Sequence, residues 1–223
     1  MAYSQQFYDQ IRRGCMSSAA AVAPFVFDLL DEPRSVVDVG CGEGHWAAEF
    51  GRLGAEQVVG IDGVYVRHPR EEIEFRALDI RRHRVVLDRR FDLAVSLEVA
   101  EHLPEARGRT FVDDLCAASD VVLFSAAIPA QGGAGHINER WPEWWAKHFE
   151  RNGFSVSGAL RWEFWSDARV EPWYRMNLLL AVKDPLAGSR PEGLAELFEG
   201  PASEPLPVVH PVYWRERVVG RKR

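Results

Sequence analysis

The sequence has few lysines, few cysteines and no long apolar run. Only Lys147, Lys183 and Lys222 stand among its 27 basic residues, and the remainder are arginines spread along the whole chain, which is typical of a GC-rich coding genome. The three cysteines form no C-x-x-C pair, which argues against a zinc knuckle and predicts a reducing, cytoplasmic environment. No segment resembles a signal peptide, and no apolar run reaches the roughly 20 residues of a membrane helix.

The charge balance is acidic, with 33 Asp and Glu against 27 Lys and Arg and a formal charge of -6. An acidic domain disfavours a protein whose main task is to bind nucleic acid. Apolar residues make up 47% of the 223 residues, as in ordinary globular proteins, which excludes disorder over the whole chain. Prolines interrupt the sequence repeatedly after residue 183. We therefore predict one domain over 1–183 and a proline-rich C-terminal tail or strap over 184–223.

Short β-branched runs alternate with amphipathic segments along the first 183 residues. Strands are predicted at 35–40, 57–62, 73–78, 91–97, 121–126, 154–162 and 176–182. A first helix is predicted to begin at a cap on Ser17 or Ser18, because the apolar residues between Val22 and Leu30 recur on one face. Further helices are predicted at 43–53, 105–118 and 142–153. This alternation indicates an α/β fold whose mostly parallel sheet is flanked by helices on both faces.

A glycine-rich turn follows the first predicted strand. The segment 36–44 reads V-V-D-V-G-C-G-E-G, with an acid two residues before the first of three alternating glycines. Glycines at such a turn let the backbone bend sharply and let a ligand lie against it. Asp62 ends the second strand, where a carboxylate can accept the hydroxyls of a ribose, and Asp79 and Ile80 end the third, where they can hold an adenine. The pattern predicts a nucleotide-like cofactor at the carboxyl edge of the sheet.

Segment 36–103 resembles the core of class I S-adenosylmethionine-dependent methyltransferases. The four successive motifs are V-V-D-V-G-C-G-E-G, V-V-G-I-D-G, R-A-L-D-I and F-D-L-A-V-S-L-E, and the resemblance extends over roughly 17–183. It implies a Rossmann-like, seven-stranded sheet. It also implies a cofactor site formed by Asp38, Gly40, Gly42, Gly44, Asp62, Asp79, Ile80, Leu97 and Glu98. An N-terminal lid over the cofactor is implied as well, with Tyr3, Phe7, Tyr8 and Arg13 as its candidate residues.

An E-x-x-E-H sequence follows the fourth predicted strand. A helical turn there would bring Glu98, Glu101 and His102 together, and His136 follows the fifth strand at the same edge of the sheet. Carboxylates and imidazoles suit a divalent metal, and the same spacing resembles metal-dependent methyltransferases, including ubiquinone-biosynthesis enzymes and small-RNA 3′-terminal ribose methyltransferases. It is also common in relatives without a metal, where the glutamate braces a helix. We favour no metal and leave that site as an alternative.

His136 belongs to a glycine-rich loop, G-G-A-G-H-I-N-E-R-W-P, that ends in a predicted helix. An imidazole at the ligand edge suits general-base work, so His136 is our first candidate for the base or a polar anchor, with His102 and Glu101 next. The segment 162–174 mixes aromatic and charged residues as a small-molecule site does, and Arg169 or Arg175 could bind an anionic acceptor there. The segment around His136, G-H-I-N-E-R-W-P-E-W-W over 135–145, resembles bacterial methyltransferases of natural-product and glycan pathways.

The prediction is a cytoplasmic S-adenosylmethionine-dependent methyltransferase that O-methylates a small molecule, either a secondary metabolite or a sugar-like acceptor. Two alternatives stay open. One is a metal-dependent RNA 3′-terminal ribose methyltransferase, which a continuous basic groove reaching His136 would favour. The other is a non-catalytic cofactor-binding partner subunit. No membrane partner is expected, and a homodimer is left open.

Overall fold

The computed structural model describes residues 5–67, 69–183 and 191–215. The strands are β1 (Ser35–Val39), β2 (Gln57–Asp62), β3 (Glu74–Ala77), β4 (Leu93–Leu97), β5 (Val121–Ser125), β6 (Phe154–Ser157) and β7 (Leu179–Lys183). The helices are α1 (Gln5–Leu29), α2 (His45–Leu53), α3 (Glu105–Ala118), α4 (Pro142–Arg151), α5 (Leu160–Glu163), α6 (Pro172–Asn177), α7 (Glu192–Glu196) and α8 (Pro211–Trp214). Single 3-10 turns lie at Ala100–His102 and Pro201–Ser203.

The seven strands form one sheet in the order β3-β2-β1-β4-β5-β7-β6. All neighbouring pairs are parallel except the two that β7 makes with β5 and β6. The chain moves outward from β1 to β3 on one side and from β4 to β6 on the other. This reversal leaves a crevice beyond the carboxyl ends of β1 and β4, which is where ligands bind in such sheets. The predicted α/β class with a seven-stranded, mostly parallel sheet is confirmed.

Each face of the sheet is covered by helices. Successive residues of β1 point to opposite faces, so Val36 packs into one core cluster with α1 and α2 while Val37 packs into the other with α3 and α4. All four central strands are buried along nearly their whole length, which explains why they are continuous apolar runs. No helix within the described ranges has both the length and the apolar composition needed to cross a bilayer.

The first helix differs from its prediction. It does not begin at a cap on Ser17 or Ser18 but runs without a break from Gln5 to Leu29, with Pro24 inside it. The Ser18 hydroxyl donates to the carbonyl of Gly14 and accepts from the backbone N–H of Glu171, so it joins two helical segments and caps neither. A long-range contact of this kind has no signature in the local sequence.

The last two predicted strands are shorter than expected. The strand predicted over 154–162 ends at Ser157 and is followed by α5, and the one predicted over 176–182 begins at Leu179 because Met176 and Asn177 complete α6. Both ends of this aromatic segment are therefore helical, and the segment turns back toward the carboxyl edge of the sheet.

The described part of the C-terminal segment, 191–215, lies against the domain. The guanidinium of Arg161 is fully buried and donates to the carbonyls of Gly158, Glu204 and Leu206 at 3.0, 2.7 and 2.5 Å. Burial lowers the pKa of Arg161 to about 10. The three carbonyl oxygens accept the hydrogen bonds that a carboxylate would usually accept from a buried guanidinium. The backbone N–H of Gly158 also donates to Ser203. The domain boundary at residue 183 stays a prediction.

Candidate active site

A cavity of about 540 Å³ lies over the crevice between β1 and β4. Loops after five parallel strands form most of its wall, and α1, α2, α6 and α8 complete it. Residues from the five loops include Gly40, Asp62, Asp79, Glu98, Glu101, His102 and His136, and those from the helices include Arg12, Cys15, Trp173, Tyr174 and Tyr213. The structure thus brings all the sequence-predicted cofactor and catalytic residues to one edge of the sheet. Of these residues, Gly44 does not itself line the cavity.

Two glycines of the first loop are required by its conformation. Gly40 and Gly44 both have φ +86°, a left-handed conformation that side chains disfavour. A Cβ atom at Gly40 would lie 2.4 Å from the Val99 side chain, and one at Gly44 would lie 2.3 Å from the Ile73 side chain. The loop therefore presents bare backbone to the cavity, where a ligand can approach closely.

Both carboxylate oxygens of Asp62, at the end of β2, accept hydrogen bonds. One oxygen accepts the backbone N–H of Gly42 at 2.7 Å, and the other accepts Gly63 at 2.6 Å and the Tyr65 hydroxyl at 2.5 Å. Burial raises the pKa of Asp62, and these three donors oppose the rise. The carboxylate also ties the glycine loop to the second strand. Sequence reasoning missed Tyr65, whose only signal was its place three residues after Asp62.

Asp38 and the third-strand residues flank this carboxylate. Burial, with the nearby charge of Asp62, raises the pKa of Asp38 to about 8, while the backbone N–H of Ala47 opposes the rise. Asp79 is half-exposed on the cavity wall and accepts the backbone N–H of Arg81, whereas Ile80 is buried beside it. An acceptor next to an apolar surface is the arrangement that an adenine needs.

Glu98 occupies a strained position at the end of β4. Its φ of 57° lies in the left-handed region, which costs a side-chain-bearing residue energy and often marks a functional site. Two amides hold its carboxylate, with Gln131 donating at 2.8 Å and Asn177 at 3.0 Å. Asn177 also donates to Gln131, so three segments of the chain converge on this one carboxylate. Leu97 lies buried next to it on the cavity wall. Sequence reasoning missed Gln131 and Asn177.

Glu101, His102 and His136 come together next to Glu98. Their potential ligand atoms all lie within 4.8 Å of one another, and Glu98 does not belong to this group. The two imidazoles meet edge to face at 4.8 Å, and Nε2 of His136 lies 3.9 Å from Oε1 of Glu101. Burial and the neighbouring His136 lower the pKa of His102 to about 4. Burial and Glu98 raise the pKa of Glu101 well above its usual range.

Glu139 orients the imidazole of His136. Its Oε1 lies 2.9 Å from Nδ1 of His136, and its two oxygens also accept the backbone N–H groups of Ala130 and Gly132. The carboxylate therefore folds the glycine-rich loop and fixes the ring at the same time. The sequence identified His136 on this loop as a candidate catalytic residue. It gave no indication of the role of Glu139, which follows His136 by three residues.

The N-terminal helix covers the cavity through a different arginine from the one predicted. Arg12 lines the cavity and lies 3.2 Å from Glu43 in the glycine loop, whereas Arg13 is exposed and does not line it. Tyr3 lies outside the described residues, as do the side chains of Phe7 and Tyr8.

Neither Arg169 nor Arg175 lines the cavity. Arg169 pairs with Asp167 on the surface, and Arg175 is buried and donates to the Trp165 carbonyl. The aromatic stretch 162–174 contributes only Trp173 and Tyr174 to the cavity wall. The tyrosine hydroxyl accepts the indole N–H of Trp46 at 3.3 Å, which joins α6 to the start of α2.

A family model described as a methyltransferase domain matches residues 10–166, well over half of the chain. The chain belongs to the methyltransferase domain family. The match spans the glycine loop, the acids that follow β2 and β3, and the cluster around His136. A comparison with curated proteins gives no match.

Several solved methyltransferases share the fold of this methyltransferase. The sugar N-methyltransferase KedS8 from a Streptoalloteichus species has a TM-score of 0.63 at 13% identity, covering 82% of this chain and 94% of that one. The amino pentose methyltransferase CalS10 from Micromonospora echinaspora has a TM-score of 0.60 at 17% identity, covering 81% and 98%. Magnesium protoporphyrin IX methyltransferase from Synechocystis has a TM-score of 0.56 at 19% identity, covering 82% and 86%. These identities are low enough that the likeness concerns the fold alone.

The cavity fits S-adenosylmethionine, the cofactor that the sequence motifs imply. The bare glycine turn suits the methionine end, and Asp62 suits the ribose. Asp79 and Ile80 suit the adenine. When bound, the cofactor supplies an electrophilic methyl group, and the protein contributes orientation and exclusion of water.

Proposed function

We propose that this methyltransferase transfers the methyl group to a hydroxyl of a small molecule, a secondary metabolite or a sugar-like compound, in the bacterial natural-product or glycan chemistry that its sequence resembles. The observation that carries the proposal is the group Glu101, His102 and His136, which opens into the same cavity as the cofactor loop. We call the part of the cavity around these three residues the acceptor end.

The acceptor end combines polar groups with aromatic walls. His136 is held by Glu139 and presents Nε2 toward Glu101 at the cavity, where it can anchor a hydroxyl or receive its proton. Trp173, Tyr174 and Tyr213 line the same cavity and provide flat apolar surface for a compact ring. A few fixed polar groups within an apolar wall are typical of a small-molecule site. We assign His136, His102 and Glu101 as the residues that touch the acceptor.

Charge at the cavity disfavours the RNA alternative. Among the described residues that line it, the arginines are Arg12 and Arg81, and Arg12 is already paired with Glu43. Six acidic side chains line the same wall, at Asp38, Glu43, Asp62, Asp79, Glu98 and Glu101. A strand of RNA requires a row of cations along its phosphates, and none of these side chains supplies a cation even where burial keeps it protonated.

The same acidic wall favours an amine as a second candidate acceptor. Glu101 lies buried beside the imidazoles and Glu98 lines the cavity nearby, so an amino group entering there would find two carboxyl groups that can accept hydrogen bonds. CalS10 is an amino pentose methyltransferase, and KedS8 is a sugar N-methyltransferase. We therefore rank an amino sugar directly after a hydroxyl acceptor.

Matched acceptors test the two candidates. Sugar and polyketide acceptors would be offered in pairs that differ only in a hydroxyl or an amino group, and mass spectrometry would count transferred methyl groups in single and multiple turnovers. Methylation of the hydroxyl member alone supports the proposal. Methylation of the amino member alone overturns it and supports the second candidate, an amine acceptor. A protein that binds S-adenosylmethionine in a calorimeter yet methylates no acceptor, even in a single turnover, would be the non-catalytic subunit instead.

A variant at the acceptor end supplies the control. His136→Asn should lose methyl transfer while its affinity for S-adenosylmethionine stays unchanged, because His136 lies outside the group of residues that fit the cofactor. Equal loss of both would place His136 in the cofactor site and contradict its assignment here.

A further inference from the structure

We propose that Glu101, His102 and His136 form a binding site for a divalent metal ion at the acceptor end of the cavity. The site itself is argued from the geometry of these side chains, and its use in methyl transfer rests on the function proposed above. A hydroxyl acceptor would be a natural oxygen ligand for such an ion. His136 would then serve as a metal ligand, and the anchoring of the acceptor would pass to the ion.

The first observation is a buried carboxylate without a partner. Glu101 is 0% exposed, and neither of its carboxylate oxygens has a hydrogen-bond partner among the described residues. The backbone N–H groups of Glu101 and Ala127 approach the carboxyl group and act to lower its pKa, but the effect of burial is larger. A buried carboxyl group without a hydrogen-bond partner is rare in proteins, and a ligand or a functional role is a common explanation for one. Glu98, its neighbour, shows the contrast, since two amides bind its carboxylate.

The second observation is the way in which both imidazoles are held. His136 uses Nδ1 for Glu139, and a hydrogen bond to the Gly135 backbone holds His102. In metal sites, a ligating histidine almost always uses its second nitrogen on a carboxylate or a backbone carbonyl, which fixes the ring and its tautomer. Both histidines of this group carry such a support, and the supports come from outside the group.

The third observation is that the backbone holds the group together before any ligand arrives. The carbonyl of Glu101 accepts the backbone N–H groups of Ile137 and Asn138 at 2.9 and 3.0 Å, which fastens the loop that carries His136 to the turn that carries Glu101. Gly133 leaves room for the ring, because a Cβ atom there would lie 2.3 Å from Nε2 of His136. The ligands therefore come from two loops that are locked to each other.

The ligand set indicates the class of metal. Two imidazoles and one carboxylate favour zinc, cobalt, manganese or iron over magnesium and calcium, which prefer oxygen ligands. Three protein ligands also leave coordination positions open toward the cavity, as in catalytic sites. An oxygen bound at such a position has a lowered pKa.

Metal titration of the protein tests the site directly. Protein stripped with a chelator and desalted would be titrated with ZnCl2 in a calorimeter and with CoCl2 by visible absorption, without cofactor or acceptor. We expect one equivalent of metal and the cobalt spectrum of mixed nitrogen and oxygen ligands. Glu101→Gln and His136→Asn should each weaken binding by more than the ~10–100-fold typical of second-sphere changes, and Glu139→Gln should fall in that range.

His83→Asn is the matched control, since His83 is exposed and does not line the cavity, and it should bind metal like the unmodified protein. No binding, or unchanged binding in Glu101→Gln when circular dichroism shows it folded, overturns the metal site. Cofactor calorimetry on the same samples separates the two proposals. If the metal binds but S-adenosylmethionine does not, the proposed function fails alone, and if the cofactor binds and methyl transfer survives chelation, the metal site has no part in it.

Discussion

The two ends of the cavity are built in different ways. The cofactor end is formed by short segments that directly follow β1, β2 and β3, and its key contacts are made by the backbone or by residues close to a strand end. The acceptor end combines the turn after β4, the loop after β5, and the helices α6 and α8, and it depends on side chains that meet across long sequence distances. The cofactor end is therefore a local property of the fold, whereas the acceptor end depends on how its outer segments pack.

Loss of Arg161 should produce the largest effect and should leave the cofactor end intact. Arg161→Met leaves the carbonyls of Gly158, Glu204 and Leu206 without their buried donor, which we expect to lower the free energy of unfolding by about 3 kcal/mol. Urea denaturation measures this, and calorimetry should show an unchanged affinity for S-adenosylmethionine. Arg169→Met, at an exposed pair with Asp167, should change stability by less than about 0.5 kcal/mol. Equal effects of the two variants would contradict a structural role for the buried arginine.

Asp62→Ala should damage the cofactor end alone. Removing the carboxylate deletes the acceptor that fits the ribose and frees the N–H groups of Gly42 and Gly63, so we expect affinity for S-adenosylmethionine to fall by about 100-fold, or ~2.7 kcal/mol. Calorimetry gives the affinity, and metal binding at the acceptor end should not change. Asp88→Ala, at an exposed surface site, is the control. A parallel loss of metal binding would show that the two ends are not independent.

Burial of Asp38 at the cofactor end should make the stability of the protein depend on pH. Burial raises the pKa of Asp38 from its ordinary value of 3.8 to about 8 in the folded protein. Between these values the folded state binds more protons than the unfolded state, so the free energy of unfolding should fall as pH rises, by at most ~1.4 kcal/mol per pH unit. Denaturation series between pH 5 and about pH 8 should show a shallower slope for Asp38→Asn and the original slope for Asp88→Asn. An identical slope in Asp38→Asn would remove Asp38 as the cause.

The smallest effect is expected where the C-terminal segment reaches the acceptor end. The hydroxyl of Tyr213 donates to the carbonyl of Gln131, whose side chain binds Glu98. Tyr213→Phe should lower the free energy of unfolding by about 1 kcal/mol and leave cofactor affinity unchanged, because one hydrogen bond is lost and the ring stays. Urea denaturation and calorimetry check both values. A fall in cofactor affinity would show that this contact positions Glu98 for the cofactor as well.

The difference between the cofactor end and the acceptor end also explains which parts of the site the sequence could predict. Gly40, Asp62 and Asp79 follow strands that are visible as β-branched runs, and parallel strands bring their carboxyl ends to one edge. Their meeting therefore follows from the strand pattern alone. His136 was also predicted at this edge, because it follows the fifth strand.

The contacts that sequence reasoning missed come from folding over long distances. Asn177 was expected in a strand, yet it ends α6 and binds Glu98, 79 residues earlier in the chain. Arg175 was expected to bind an acceptor, but the packing of His210 and Trp165 around it buries it away from the cavity. Arg12 lines the cavity in place of Arg13 because α1 runs unbroken from Gln5, which the predicted cap at Ser17 or Ser18 did not anticipate.

The tryptophans on the cavity wall give the protein a built-in optical signal. Trp46 donates its indole N–H to Tyr174, and Trp173 lies on the same wall, so both rings stand where an arriving cofactor must displace water. Intrinsic fluorescence should therefore report ligand entry without a dye, at protein concentrations far below those of calorimetry. Trp46→Phe and Trp173→Phe would assign the change to one ring or the other, and stopped-flow mixing would turn it into a rate of cofactor entry.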